Sequence, residues 1–213
     1  YNAGGVYSAP MAEFVLGGIL QLYKESKFFA ENQAAHRWEK HRGLRELSGK
    51  TACIIGTGSV GSAIARRLRA FDVQTVGINR SGHPAAEFDQ TQPTCRLDDL
   101  LPLADLVSCA MPLTAETAGL FDSVRLAKIK PGAVFVNVAR GKVTDQQALV
   151  EALQSGQLSG AVLDVFEEEP LPRSSPLWDM EQVILTPHNS FVGEHNGERL
   201  FRLFCKNLES FAQ

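Results

Sequence analysis

From Lys50 onward the chain alternates between two hydrophobic rhythms. Short unbroken apolar runs stand at Thr51–Ile55, Val73–Ile78, Leu106–Ala110, Ala133–Val138, Gly160–Val165 and Val183–Leu185. Runs of this kind suit strands covered on both faces. Between them lie stretches of helical spacing such as Ser62–Phe71 and Thr144–Gln154. In the latter, Thr144 and Gln147 stand in capping-box spacing and Gly156 follows the end. Strands separated by helices predict a doubly wound α/β fold, a parallel sheet with helices on both faces. Ahead of this region, Ser8-Ala9-Pro10 reads as a helix start with Ser8 as its cap. Met11, Phe14, Val15, Ile19 and Leu22 then recur at helical spacing, a face that fits either a subunit interface or internal packing. Lys24 to Gly49 is polar and reads as a helix tail and connector, anchored by Trp38. A last helix over about 194–211 carries Leu200, Phe201, Phe204, Leu208 and Phe211 on its apolar side.

Composition narrows the function classes. With 213 residues and 44% hydrophobic content, the chain is long and apolar enough for one large ordered domain. A net charge of -3 argues against nucleic acid as the main partner, since phosphate binding needs a basic face. There is no apolar run long enough for a membrane span. Cys53, Cys95, Cys109 and Cys205 are widely spaced without a CxxC pair, so they read as reduced, core-type cysteines of a cytoplasmic protein, with no metal site. The chain begins at Tyr1 without a methionine or a secretory signal, and reads as a segment of something longer.

The first strand runs into Gly56-Thr57-Gly58-Ser59-Val60-Gly61, a G-x-G-x-x-G turn that opens a helix. The glycine pattern alone is weak; its place between a buried strand and a helix makes it a Rossmann-type dinucleotide site. Gly56 allows the tight turn, Gly58 lets the backbone approach a pyrophosphate, and Gly61 lets the helix pack closely on the strand. Ser59 and Val60 open the helix whose N-terminus faces the phosphates. An NAD site usually has an acid about 20 residues on to hold the ribose hydroxyls. Here Asn79-Arg80-Ser81 stands in that place. A guanidinium and a hydroxyl suit a 2′-phosphate that an acid would repel, so NADP is favoured over NAD. The competing reading is that Arg80 is an ordinary solvated charge.

Three further stretches place ionisable residues just past strand ends, where α/β folds put their chemistry. They are Val136-Asn137-Val138-Ala139-Arg140-Gly141, Leu163-Asp164 through Glu167-Glu168-Glu169-Pro170, and Thr186-Pro187-His188. Arg140 offers a planar fork for a carboxylate, and His188 a proton donor near neutral pH. Together with Met111-Pro112-Leu113-Thr114-Ala115-Glu116-Thr117 and Lys130-Pro131-Gly132, these segments resemble the D-2-hydroxyacid dehydrogenases over almost the whole chain, with phosphoglycerate dehydrogenase-like features.

The resemblance implies hydride transfer between NAD(P)H and a 2-oxo or D-2-hydroxy acid, with Arg140, Glu169 and His188 as the catalytic set. Arg140 would bind the carboxylate and carbonyl oxygen, and His188 would protonate that oxygen. Glu169, the acid before the proline, would hydrogen-bond His188 and keep it charged. Asp164 would meet the nicotinamide carboxamide, while Met111, Pro112, Thr117, Val138 and Ala139 would lie along the cofactor. Phe191 departs from the small residues the family often has after its histidine and would shape the pocket or lid. The resemblance further implies an NAD(P)-binding domain over residues 1–213, with its core at about 50–190 and flanking hinge helices. A substrate-binding domain of roughly 100 residues would precede it and is not in this chain. The segment alone would then bind cofactor but turn over poorly, and a homodimer is implied. The same fold and Arg/Glu/His set also occur in nucleotide-sensing corepressors, which leaves an interaction protein, or a regulatory dinucleotide-binding module, as alternatives.

Overall fold

The computed structural model describes residues 3–211. Tyr1, Asn2, Ala212, Gln213 and the side chain of Phe211 lie outside the described residues. Among the described residues, seven strands form one sheet: β1 (Thr51–Ile55), β2 (Gln74–Asn79), β3 (Gln90–Pro93), β4 (Leu106–Cys109), β5 (Ala133–Asn137), β6 (Leu158–Leu163) and β7 (Val183–Leu185). The order is β3-β2-β1-β4-β5-β6-β7 and every pairing is parallel. The helices are α1 (Ser8–Tyr23), α2 (Ser26–Ala34), α3 (Ser59–Arg69), α4 (Leu97–Leu100), α5 (Ser123–Lys128), α6 (Gln146–Gln154) and α7 (Asn196–Phe211).

Strand side chains alternate between two apolar layers. Cys53 and Ile55 face the layer with Phe121, Phe135 and Leu149, while Ala52 and Ile54 face the layer with Ile19, Ile64 and Leu68. Val15, Ile19 and Leu22 of α1 belong to that second layer, so this face is used for internal packing. Strand order reverses between β1 and β4, the switch point at which open α/β sheets bind ligands beyond their carboxyl ends.

Several local expectations are corrected. The α1 helix begins at Ser8 itself, with Tyr7 in the cap position and no side-chain capping bond. Asp145, rather than Thr144, caps α6, accepting from the Ala148 amide at 3.0 Å; Thr144 is extended backbone just before it. The connector contains α2, and Trp38 anchors nothing: it is 97% exposed on an extended arm. The arm is instead fastened at Arg45, whose guanidinium lies 4.2 Å over the Tyr23 ring and donates to the Ser159 hydroxyl at 2.7 Å. The polar strand β3 carries no apolar signal and exists by pairing with β2. Of the four unpaired cysteines, Cys53 and Cys109 are core residues, whereas Cys95 is exposed and Cys205 half-buried. Burial pushes the Cys53 thiol up to about 12.

Candidate active site

The glycine turn connects β1 to α3 with three different steric demands. Gly56 has φ +104, and a Cβ there would meet the Ala110 carbonyl oxygen at 2.6 Å. A Cβ at Gly61 would lie 1.8 Å from the Gly56 oxygen, which is the close helix–strand contact. A Cβ at Gly58 would enter open space, leaving its backbone approachable from the cleft. No side chain caps α3 and no acid stands in its first turn, so the amides of Ser59 and Val60 present the helix's positive end outward. These are the features that an incoming pyrophosphate requires, and the turn fits a dinucleotide.

At the end of β2, Asn79 braces its own loop. Its amide donates to the Thr57 hydroxyl at 3.2 Å and the His83 carbonyl at 2.9 Å, and its oxygen accepts from the Gly82 amide at 2.7 Å. Arg80 and Ser81 are left exposed beside the glycine turn. Across the groove, the Thr114 hydroxyl holds Glu116 below the usual carboxylate range, with a smaller pull from the Arg80 charge. The Thr117 hydroxyl closes the segment after β4, donating to the Pro112 carbonyl at 2.8 Å and accepting from the Thr114 amide at 2.7 Å.

A cleft of about 540 Å³ opens at the carboxyl ends of the strands. Val60, Met111, Pro112, Val138, Ala139 and Asp164 line it, together with Arg140 and His188. Arg140 follows β5; its guanidinium is exposed and donates to the Ala139 carbonyl at 2.6 Å. His188 follows β7, and its Nδ1 lies 2.8 Å from Glu169 Oε2. Partial burial pushes Glu169 up, but the His188 and Phe166 hydrogen bonds and the charges of His188 and Arg140 outweigh it, holding the carboxyl below its usual range. An ionised Glu169 fixes the ring orientation and leaves Nε2 as the free nitrogen.

His188 sits at φ +51, a left-handed conformation that costs a non-glycine residue on the order of 1 kcal/mol or more. Asp164 over-determines it. This carboxylate, 1% exposed just past β6, accepts from the Thr186 hydroxyl at 2.6 Å and from the amides of Asn189 at 2.7 Å and Ser190 at 3.0 Å. The Ser190 hydroxyl also donates to it, and the His188 amide donates to the Asp164 carbonyl at 2.8 Å. Asp164 therefore builds the loop that presents His188, a role invisible in the sequence although the residue also lines the cleft. Phe191 meets Tyr7 edge-on with centroids 5.8 Å apart and stands 6.2 Å from the His188 ring. Tyr7 at this wall was not legible, because it precedes the first helix without any motif.

Known proteins resemble this chain in sequence and in fold. The sequence profile of the D-isomer specific 2-hydroxyacid dehydrogenase NAD binding domain matches residues 16–190. A glyoxylate reductase from Thermofilum pendens is 38% identical over 211 residues, covering 96% of this chain and 62% of its own length. The crystal structure of a D-isomer specific 2-hydroxyacid dehydrogenase family protein from Aeromonas salmonicida superposes with a TM-score of 0.87 at 38% identity, over 96% of this chain and 65% of that one. The D-isomer specific 2-hydroxyacid dehydrogenase from Xanthobacter autotrophicus, in complex with NADPH and MES, has a TM-score of 0.84 at 33% identity, over 97% and 84% of the two chains. This chain thus spans less than two thirds of the first two of these relatives. With the profile spanning most of its length and the fold shared throughout, the chain belongs to the D-isomer specific 2-hydroxyacid dehydrogenase family and carries that family's NAD-binding domain.

Proposed function

We propose that this chain is the NAD(P)-binding and catalytic domain, over residues 1–213, of a reductase that acts on a small 2-oxo acid with NADPH. The observation that carries the reading is the His188–Glu169 pair facing the same cleft as Arg140, beside a glycine turn open at Gly58. Gly56, Gly58, Gly61 and the α3 N-terminus would hold the pyrophosphate, and Arg80 and Ser81 the 2′-phosphate. Bound there, the nicotinamide supplies hydride to the carbonyl carbon. Arg140 orients the substrate carboxylate through its fork and draws electron density from the carbonyl. His188 gives the proton from Nε2 to the carbonyl oxygen, while Glu169 stabilises the charged ring and holds it in place. Val138, Ala139 and Met111 keep the floor of the cleft apolar, which strengthens both interactions.

Phe191 and Tyr7 narrow the wall beside His188, which favours acids with a short side chain, in keeping with the name of the Thermofilum relative. The NADPH preference rests on the absence of an acid at the end of β2, and the Xanthobacter relative carries NADPH. A cytoplasmic location fits the four unpaired cysteines, and no helix among the described residues is long and apolar enough to cross a membrane. We further propose a homodimer, supported by Trp38 and Phe29 exposed beside the arm rather than by the inward-packed face of α1; light scattering tests it. For the cofactor, calorimetric titration should give NADPH at least about tenfold tighter than NADH, one charge-assisted contact's worth. Equal or tighter NADH binding overturns that part. For the chemistry, glyoxylate-dependent NADPH oxidation by the full-length protein should fall at least about a hundredfold in Arg140→Ala, and its persistence overturns the catalytic assignment.

A further inference from the structure

We propose that His83 is a positioning residue for the 2′-phosphate: it turns the Ser81 hydroxyl outward as a donor, so that discrimination between NADPH and NADH grows as His83 takes up a proton. The proposal rests on the NADPH reading above and concerns a residue that reading does not use. Its basis is the architecture of the loop after β2. Asn79 ties the loop at three points, to Thr57 in the glycine turn, to the Gly82 amide and to the His83 carbonyl. Gly82 turns the chain at φ +73, its carbonyl accepting from the Thr91 hydroxyl at 3.3 Å on β3. That turn folds His83 back onto Ser81, with Ser81 Oγ 3.0 Å from His83 Nδ1.

The direction of this hydrogen bond decides what Ser81 can offer. A neutral imidazole can accept at Nδ1, and the serine proton then points into the ring and is lost to any anion. An imidazolium donates from both nitrogens, so Nδ1–H must go to Oγ. The serine proton is then forced away from the ring, free for a phosphate oxygen, and a second positive charge stands beside Arg80. NADH has no 2′-phosphate and gains neither effect.

The charged and titratable groups on the segments around His83 are few. Arg80 lies on the loop, Glu87 and Asp89 lead into β3, and β3 itself contributes none. Cys95 and Arg96 follow it, and Glu116 stands across the groove within the field of Arg80. Asp89 is already engaged, with Thr75 and Arg69. Among the described residues no carboxylate is hydrogen-bonded to the His83 ring, so an imidazolium there would have no competing acidic partner.

The test is titration of the full chain with NADPH and NADH at about pH 6 and about pH 8. A ligand phosphate itself ionises near pH 6, so the quantity to read is the ratio of wild-type to variant affinity, in which the ligand's own titration cancels. His83→Ala should weaken NADPH by about tenfold at the lower pH and less than about twofold at the higher, with NADH unchanged at both. His83→Gln, whose amide keeps a donor for Ser81, should restore part of the affinity and remove the pH dependence. In a Ser81→Ala background, His83→Ala should lose most of its effect. A His83→Ala penalty that is absent, or equal at both pH values, overturns the proposal, as does an equal loss of NADH affinity, which would mark a structural role. If wild type prefers NADPH in any of those cases, the cofactor reading stands without this inference. If wild type does not prefer NADPH, the cofactor reading itself has failed.

Discussion

The two ends of the sheet treat their polar groups in opposite ways. At the amino ends of the strands, polar groups satisfy each other. Asp105 accepts from the Thr51 amide at 3.0 Å and from Lys130 Nζ at 2.7 Å, and Arg45 ties the connector to Ser159 and the Gly132 carbonyl. At the carboxyl ends, the protein's own bonds are used to hold groups out toward the cleft. Asp164 braces the His188 loop, Asn79 braces the Arg80–Ser81 loop, and Glu169 turns one nitrogen of His188. Arg140, the α3 amides and Ser81 are left facing solvent. One end consumes its hydrogen-bonding capacity in stability; the other reserves it for ligands.

Substitutions can break that contrast, and the largest loss should come where packing serves both ends. Gly61→Ala would drive a methyl into the Gly56 carbonyl, destabilising the domain by about 3 kcal/mol or more and lowering the melting temperature by roughly 6–12 °C. NADPH binding should vanish with it. Asp164→Ala comes next: two amides and two hydroxyls lose a buried acceptor, for about 2–4 kcal/mol by urea unfolding, and reductase activity should fall with stability.

Asp105→Ala should cost about 1–2 kcal/mol while leaving cofactor affinity untouched. This carboxyl also sets a pH window. Burial pushes Asp105 up, but the Lys130 and Thr51 bonds and nearby lysines hold it below its ordinary value. Asp98 is likewise held low, chiefly by Lys128 and then Arg125. A depressed folded value means that the stabilisation is present above the unfolded pKa of about 4 and is lost as pH falls through the folded one. Stability measured by denaturant should therefore drop below about pH 4, less steeply in Asp105→Ala. The smallest effect on folding belongs to Arg140→Ala. The melting temperature should stay within about 1 °C of wild type, since Arg140 is exposed, while the proposed reduction of glyoxylate by the full-length protein falls at least about a hundredfold.

The sequence pattern carried the frame of this molecule better than its corners. Apolar runs locate β1, β2, β4, β5, β6 and β7 to within about two residues, because a strand buried on both faces leaves little choice of composition. The strand β3 could not be read, since Gln90–Pro93 is polar and owes its form to the neighbouring Val76–Asn79 backbone. Trp38 misled because a large apolar residue normally marks burial, whereas here it extends on an arm. At the site, the glycines and the Arg, Glu and His are visible as motifs. That Glu169 and His188 share a hydrogen bond across 19 positions depends on β6 and β7 lying side by side. Asp164 reads as a motif residue, but its five acceptor contacts require the loop after β7 to fold back over it.

The separation of the two ends is tested most directly by thermal melts of two variants with and without saturating NADPH. Asp105→Ala should melt several degrees below wild type and retain the full NADPH-induced rise, which mass action sets through the unchanged affinity. Arg80→Ala should melt with wild type and show a rise reduced by about 1.4 kcal/mol equivalent, a tenfold loss of affinity. The opposite pattern, with Arg80→Ala unstable or Asp105→Ala blind to NADPH, would contradict the account.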